Sequence, residues 1–552
     1  MEFKLSATHV VPFTKAFCRG GLHRASIPRT FVRRLDLRTS TARRRLPARA
    51  LLDEVETTQP SSPDSSLIND DFQPTTLAQR TFSVLDIAAL WIGLVVCIPT
   101  YTLAASLIDM GMSWSQGMLT IGLANFIVLV PMILNGHPGT KYGVPFPVLA
   151  RAAFGIHGSN IPSMMRALVA CGWFGIQTWI GGEAIFTLLN AAAGGSLSTV
   201  PWGWLGISGS QLACFMLFWA CQVAIIVRGI ESIRVVEKYA APVLIGLSLM
   251  LLGWAYCAAG GFGTMLSTPS MFGPGMPKHG QFWGTFFPAL TANVGFWATL
   301  ALNIPDFTRY AKTQKDQFLG QAIGLPFFMV AFSFLGLAVT SSTTIIFGYT
   351  IADPLQVLSR VGGVVPTFLA ITGLVTATLS TNIAANVVAP ANALVNLSPG
   401  RFTFTLGGVA TAIVGALIMP WKLMSSTSGY IFTWLIGYSA LLGPVTGILL
   451  ADYYIIRRRQ LDVDALFSKE RTDKYWYQGG YNPVALACFA GGVLPNIPGF
   501  LQAAGMVSTV PAIFTQIYVY AWFVGFTLSA VSYVISMRMS GNCLPSQPST
   551  VL

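Results

Sequence analysis

Charge is what this 552-residue chain has least of: 10% of its residues are Asp, Glu, Lys or Arg, against 53% hydrophobic ones. A soluble globule of this size needs more charge than that to cover its surface, whereas a bilayer solvates apolar surface directly. A mean hydropathy of +0.61 places the chain in the membrane class. Eight cysteines fall mostly inside apolar runs, with no CxxC pair and no histidine at ligand spacing, so neither a disulfide framework nor a zinc centre is indicated. A Walker loop, a nucleophile–base pair and a repeated filter motif are also missing, which argues against an enzyme or a channel.

A net charge of +12 would suggest a nucleic-acid partner if it were spread over the chain, but it is not. Residues 1–50 carry twelve Lys and Arg against Glu2 and Asp36, are rich in Ser and Thr, and contain no apolar core of secretory-signal length. That pattern reads as an organelle transit peptide. Residues 51–80 carry six acids and one base among Pro and Ser and read as a flexible acidic linker. Residues 81–540 form the membrane domain, and 541–552 a C-terminal tail.

The expected fold is all-α: about twelve transmembrane helices, near 84–108, 114–135, 162–192, 211–228, 239–259, 282–303, 318–346, 364–395, 404–420, 428–453, 482–498 and 513–536. Loops after even-numbered spans hold the basic residues, among them Lys141, Arg151, Arg234, Lys238, Arg309, Arg401 and Arg457–Arg459. Loops after odd-numbered spans hold only Lys278, Arg360 and Lys422. This alternation puts both chain ends on the positive side.

Four segments carry polar or helix-breaking residues that a plain span does not need. The first span has Gly93 and Pro99, and the sixth has Gly295 and Pro305, so both are expected to be interrupted near mid-membrane and to expose carbonyls. In the third span Trp173 and Gln177 are four apart and share a face, one offering a flat π surface and the other a donor and an acceptor, a pairing that suits a planar heteroaromatic ring. The eighth span holds Thr378, Ser380, Thr381, Asn382 and Asn386. Ala377, Ser380 and Thr381 lie at i, i+3 and i+4, so a carbonyl and two hydroxyls can meet a small cation, or else serve as interhelical glue. Glu183 is the one carboxyl deep in an expected span, a candidate proton acceptor.

With WFGIQTW, STNIAAN, IPTYTLA, HGSNIP, NIPDFTRY, MPWK and LADYYIIRRR in view, the chain resembles the nucleobase:cation symporter-1 family over 81–540, and with its basic extension it looks most like the plastidic members in plants. The resemblance implies a five-helix inverted repeat of the APC/LeuT type with two added C-terminal helices. It implies a substrate held between Trp173 and Trp297 and read by Gln177 and Asn386, with Cys97 where the family's bacterial hydantoin carrier has a glutamine. It also implies a sodium site of the Gly93, Val96 and Ala377 carbonyls and the Ser380 and Thr381 hydroxyls.

The function expected is symport of nucleobases such as uracil, adenine and guanine, driven by H+ or Na+, with Glu183 tilting the choice towards protons. No cofactor or nucleic acid is called for, and the protein is expected as a monomer in the lipid bilayer of the inner plastid envelope or, alternatively, the mitochondrial inner membrane. The alternative cargo is another nitrogenous ring or ureide, such as allantoin, thiamine or pyridoxine.

Overall fold

The computed structural model describes residues 59–69, 72–228, 245–360, 364–426 and 429–540. The transit-like extension 1–50, the C-terminal tail 541–552, Arg234 and Lys238 lie outside the described residues.

The described chain is helical, and its β pairing is confined to two isolated bridges, Phe82–Ala311 and Gln478–Tyr481. In order the main helices are α1 (Val84–Val95), α2 (Ile98–Asp109), α3 (Trp114–Tyr142), α4 (Phe146–Phe154), α5 (Asn160–Ala192) and α6 (Gly209–Arg228). After these come α7 (Ile245–Ala258), α8 (Phe282–Asn303), α9 (Gln314–Phe347), α10 (Val364–Asn386), α11 (Val388–Leu397) and α12 (Phe404–Leu417). Last are α13 (Gly429–Ile456), α14 (Pro483–Ala503), α15 (Ala512–Val519) and α16 (Ala521–Met539).

Among the described residues seven helices are long and apolar enough to cross a membrane, and the bent pair α1–α2 makes an eighth. The expected fifth span, 239–259, begins outside the described residues. α5 runs for 33 residues but carries Arg166, Gln177, Thr178, Glu183 and several glycines, and α12 is a shorter apolar helix.

Local signals set the boundaries. Ser83 caps α1, its backbone N–H donating to Asp86 at 2.9 Å, and Ser113 caps α3 in the same manner with Gln116. α3 stops at Gly143, whose φ of 72° lies in the left-handed region that glycine enters freely.

The two proline-bearing spans behave differently. The first bends by 60° between α1 and α2, with Cys97 in an extended conformation and Pro99 just inside α2. The sixth span is continuous through Gly295 and turns only at Ile304, so the expected mid-membrane interruption is corrected there. Gly295 serves packing: a Cβ on it would lie 2.0 Å from Ser439 Oγ.

Packing divides the helices into two groups. The first, second, sixth and seventh spans (α1–α2, α3, α8, α9) pack together, and the third, fourth, eighth and ninth (α5, α6, α10–α11, α12) pack together. Pairing 1–2 with 6–7 and 3–4 with 8–9 is the arrangement of a five-span repeat. α13 lies against α8 and α16, and α16 also packs on α14. The seam between α5 and α12 is backbone to backbone: a Cβ on Gly175 would sit 2.3 Å from the Gly415 carbonyl oxygen.

From residue 59 onward the expected flexible linker is instead packed on the body. The amide of Asp64 donates to the Phe467 carbonyl at 2.9 Å, and that of Thr75 to the Gly143 carbonyl at 2.9 Å. Leu67 and Phe72 are buried in a cluster with Tyr142, Leu149 and Phe467. Arg80, 4% exposed, donates to the Thr140 carbonyl at 2.8 Å.

Candidate functional site

Four elements converge at the middle of the bundle: the break in the first span, α5, α8 and α10, with α13 closing the side. The foot of α5 is tied to α8 by Arg166, whose Nε donates to the Thr299 carbonyl and to Asn303 Oδ1, each at 3.1 Å. Two turns above, Trp173 is 6% exposed.

Trp173 sits in an aromatic cage. Its ring meets Phe296 at 5.3 Å, Trp434 at 5.9 Å, Tyr430 at 6.3 Å and Tyr438 at 6.4 Å, all edge to face. Trp297 is also buried and lies edge-on to Trp91 of α1 at 5.1 Å and to Phe296 at 5.0 Å. The two indoles expected to flank a ligand are therefore joined through Phe296, which touches both.

Two members of this cage have unused capacity: Trp434 Nε1 and Tyr438 Oη are buried without a hydrogen-bond partner, as are Trp297 Nε1 on α8 and Thr378 Oγ1 on α10. Gln177 is 5% exposed, and among the described residues its amide meets no partner. Buried polar groups are otherwise nearly always bonded, so several open ones in one place mark a site that expects a polar guest.

Asn386, 6% exposed, donates from Nδ2 to Asn382 Oδ1 at 2.9 Å. Asn382 in turn donates to the Phe174 carbonyl at 2.9 Å and to Gln222 Oε1 at 2.7 Å, and Gln222 Nε2 donates to Thr178 Oγ1 at 2.8 Å. Cys97, at the break, is buried with its Sγ 3.3 Å from Thr100 Oγ1.

For the expected cation site, the break matters. In an unbroken helix the Cys97 amide would close on Gly93; it bonds the Val95 carbonyl at 2.8 Å instead, which frees the Gly93 oxygen. α1 packs against α10, the helix that holds Ala377 and Thr381. The side chains of Ala377 and Ser380 lie outside the described residues.

Glu183 stands apart from these groups, well beyond Gln177 along α5, where its Oε1 accepts from Gln211 Nε2 at 3.1 Å. Sequence reasoning missed Tyr430, Trp434, Tyr438, Phe296 and Gln222. The first three recur every fourth residue and so share a helical face, and Gln222 stands alone in an apolar run; both signals were readable.

Comparison with known proteins follows this geometry. Residues 74–525 match the family described as permease for cytosine/purines, uracil, thiamine, allantoin. The chain is 52% identical over 479 residues to the purine-uracil permease NCS1 of Arabidopsis thaliana, covering 87% of this chain and 79% of that one. It is 40% identical to the allantoin permease of Bacillus subtilis, covering 86% and 94% respectively. Among solved structures, the inward-facing conformation of Mhp1 superposes with a TM-score of 0.70 at 25% identity, covering 87% of this chain and 96% of that one. The closed, bromovinylhydantoin-bound Mhp1, a nucleobase-cation-symport-1 family transporter, gives a TM-score of 0.69 at 25% identity, covering 87% and 97%.

Proposed function

We propose that this chain, which belongs to the family of permeases for cytosine and purines, uracil, thiamine and allantoin, is a symporter that carries purine and pyrimidine bases such as uracil, adenine and guanine by alternating access. The membrane class, the helical fold and the carrier role come with the family; cargo, coupling and address are the reading offered here.

The observation that carries the cargo reading is the cage around Trp173, where aromatic surface and unpartnered donors occur together. A flat, nitrogen-rich ring answers both features at once: its face stacks on an indole, and its edge bonds Gln177 and Asn386. The purine-uracil permease at 52% identity supports the same cargo. Trp297 closes the site from α8 and Cys97 from the first span, and no enzymatic step belongs to this reading.

For the driving ion, the Gly93 and Val96 carbonyls together with Ala377, Ser380 and Thr381 would receive Na+. Glu183 is the candidate for H+, although its distance along α5 from the cage makes direct coupling through ligand contact unnecessary. The basic extension 1–50 supports an address in the inner plastid envelope, with a single chain as the working unit.

The test is uptake of labelled uracil and adenine into vesicles holding the purified protein, with pH and Na+ gradients imposed separately. Gln177→Ala is expected to abolish uptake while the protein stays in the membrane; uptake kinetics equal to wild type would overturn the site. Allantoin is the second cargo to include, because of the 40% identical allantoin permease.

A further inference from the structure

The chain of amides beneath the cage has a direction that can be read from one fixed point. Thr178, Gln222, Asn382 and Asn386 join α5, α6 and α10, and all four are buried. A side-chain amide has two ends of opposite sense, a carbonyl that accepts and an NH2 that donates, and either can face a neighbour unless something forbids it. Here the Phe174 main-chain carbonyl forbids it. It can only accept, and it lies 2.9 Å from Asn382 Nδ2. Turning the Asn382 amide over would press two carbonyl oxygens together at that distance.

Each further sense follows from that one. The second Asn382 N–H points to Gln222 Oε1 at 2.7 Å, so Gln222 must offer its NH2 to Thr178 Oγ1 at 2.8 Å. The Thr178 hydroxyl passes its own proton to the Phe174 carbonyl at 2.7 Å, which closes the loop. Asn382 Oδ1 then has to accept, and it does so from Asn386 Nδ2 at 2.9 Å. Asn386 is therefore held by its NH2 end, leaving its carbonyl oxygen, without a partner among the described residues, as the end offered elsewhere.

Helix register shows where that end lies. Asn396 bonds Asn160 at 2.7 Å while Asn382 bonds the Phe174 carbonyl, so the eighth span runs antiparallel to α5 and Asn386 is level with the turn that carries Trp173. Gln177 has no such anchor, so its amide is free to turn either way.

We propose that Asn382, held by Gln222, Thr178 and the Phe174 carbonyl, is a positioning residue that fixes the sense of the Asn386 amide, so that the carrier favours ring edges presenting an N–H donor to it. One amide of fixed sense and one that adapts give a site that demands a donor at one point and tolerates either group at the other. The proposal rests on the reading of Asn386 as a ligand contact. It distinguishes two rings of nearly equal shape: uracil, whose N3 bears hydrogen, and cytosine, whose N3 is a bare acceptor.

The experiment measures equilibrium binding of labelled uracil and labelled cytosine to the purified full chain. Wild type is expected to favour uracil by at least about tenfold, the loss from one mismatched buried hydrogen bond. Asn382→Ala releases Asn386 to turn over, and the uracil-to-cytosine ratio is expected to fall to within about threefold of unity, whereas Gln222→Leu leaves Asn382 on the Phe174 carbonyl and should keep the ratio near wild type.

A purely structural role would lower protein yield and leave the ratio of the surviving protein unchanged. An unchanged ratio in Asn382→Ala overturns the proposal, as does equal affinity of wild type for the two bases. Asn386→Ala separates the two layers. If it leaves uracil binding intact, the site reading itself fails; if it abolishes binding while Asn382→Ala keeps its ratio, only the positioning role fails.

Discussion

Two buried polar regions of this protein contrast sharply. At the end of α13, Asp452 accepts from Arg457 Nε at 2.7 Å and from the Tyr533 hydroxyl at 2.8 Å. Arg457 Nη2 goes on to the Ala152 carbonyl at 2.7 Å and to the Tyr477 hydroxyl at 2.6 Å. This network is closed on itself and ties the tenth span to the twelfth, to α4 and to the loop that carries Tyr477. Around Trp173, by contrast, Trp434 Nε1 and Tyr438 Oη are buried with no partner. Each such group costs roughly 1–3 kcal/mol in a dry interior. One region satisfies its polar groups fully, and the other leaves groups open for a guest to meet.

The sharpest way to break this comparison is Asp452→Ala, which strands the buried Arg457 charge. It is expected to destabilise the protein by about 3–5 kcal/mol, read as a large fall in the unfolding temperature of the detergent-solubilised protein. A midpoint within about 2 °C of wild type would show that the network is not closed as described.

A matched pair sharpens it further. Tyr533→Phe removes a hydroxyl that Asp452 uses and should cost about 1–3 kcal/mol, whereas Tyr438→Phe removes an unpartnered one and should leave the midpoint level or slightly higher while weakening uracil uptake. Equal losses of stability in the two variants would erase the distinction.

The smallest effect belongs to the Lys474–Asp462 pair in the loop after α13, 2.7 Å apart and half in solvent. Burial alone would raise the Asp462 carboxyl, but the hydrogen bonds from Lys474 and from the Ala465 amide outweigh it and hold the carboxyl below its ordinary value. A depressed carboxyl adds stability at neutral pH and gives it up as the pH falls through its titration. Lys474→Met should therefore cost under about 1 kcal/mol at pH 7, and in a pH series of unfolding midpoints the gap from wild type should close in acid. A gap that widens in acid would contradict the assignment.

Much of this was legible in the residues. The kink in the first span follows from Pro99 and Gly93, and the Trp173–Gln177 face from their spacing. Gly295 was misread because a sequence shows that a glycine is present but not what it makes room for, and its neighbour Ser439 lies far along the chain. The packed segment after residue 59 was hidden for a similar reason: Leu67 and Phe72 sit among Ser, Pro and Asp, and their partner Phe467 is some 400 residues away in sequence. The cage around Trp173 fell between these cases. Its tenth-span aromatics share a face, yet nothing in their own segment says which helix that face meets.

The contact of Gly175 with the Gly415 carbonyl has a mechanical consequence. Any side chain larger than hydrogen at either glycine would force the third and ninth spans apart, so the close seating of these two spans depends on both positions staying bare.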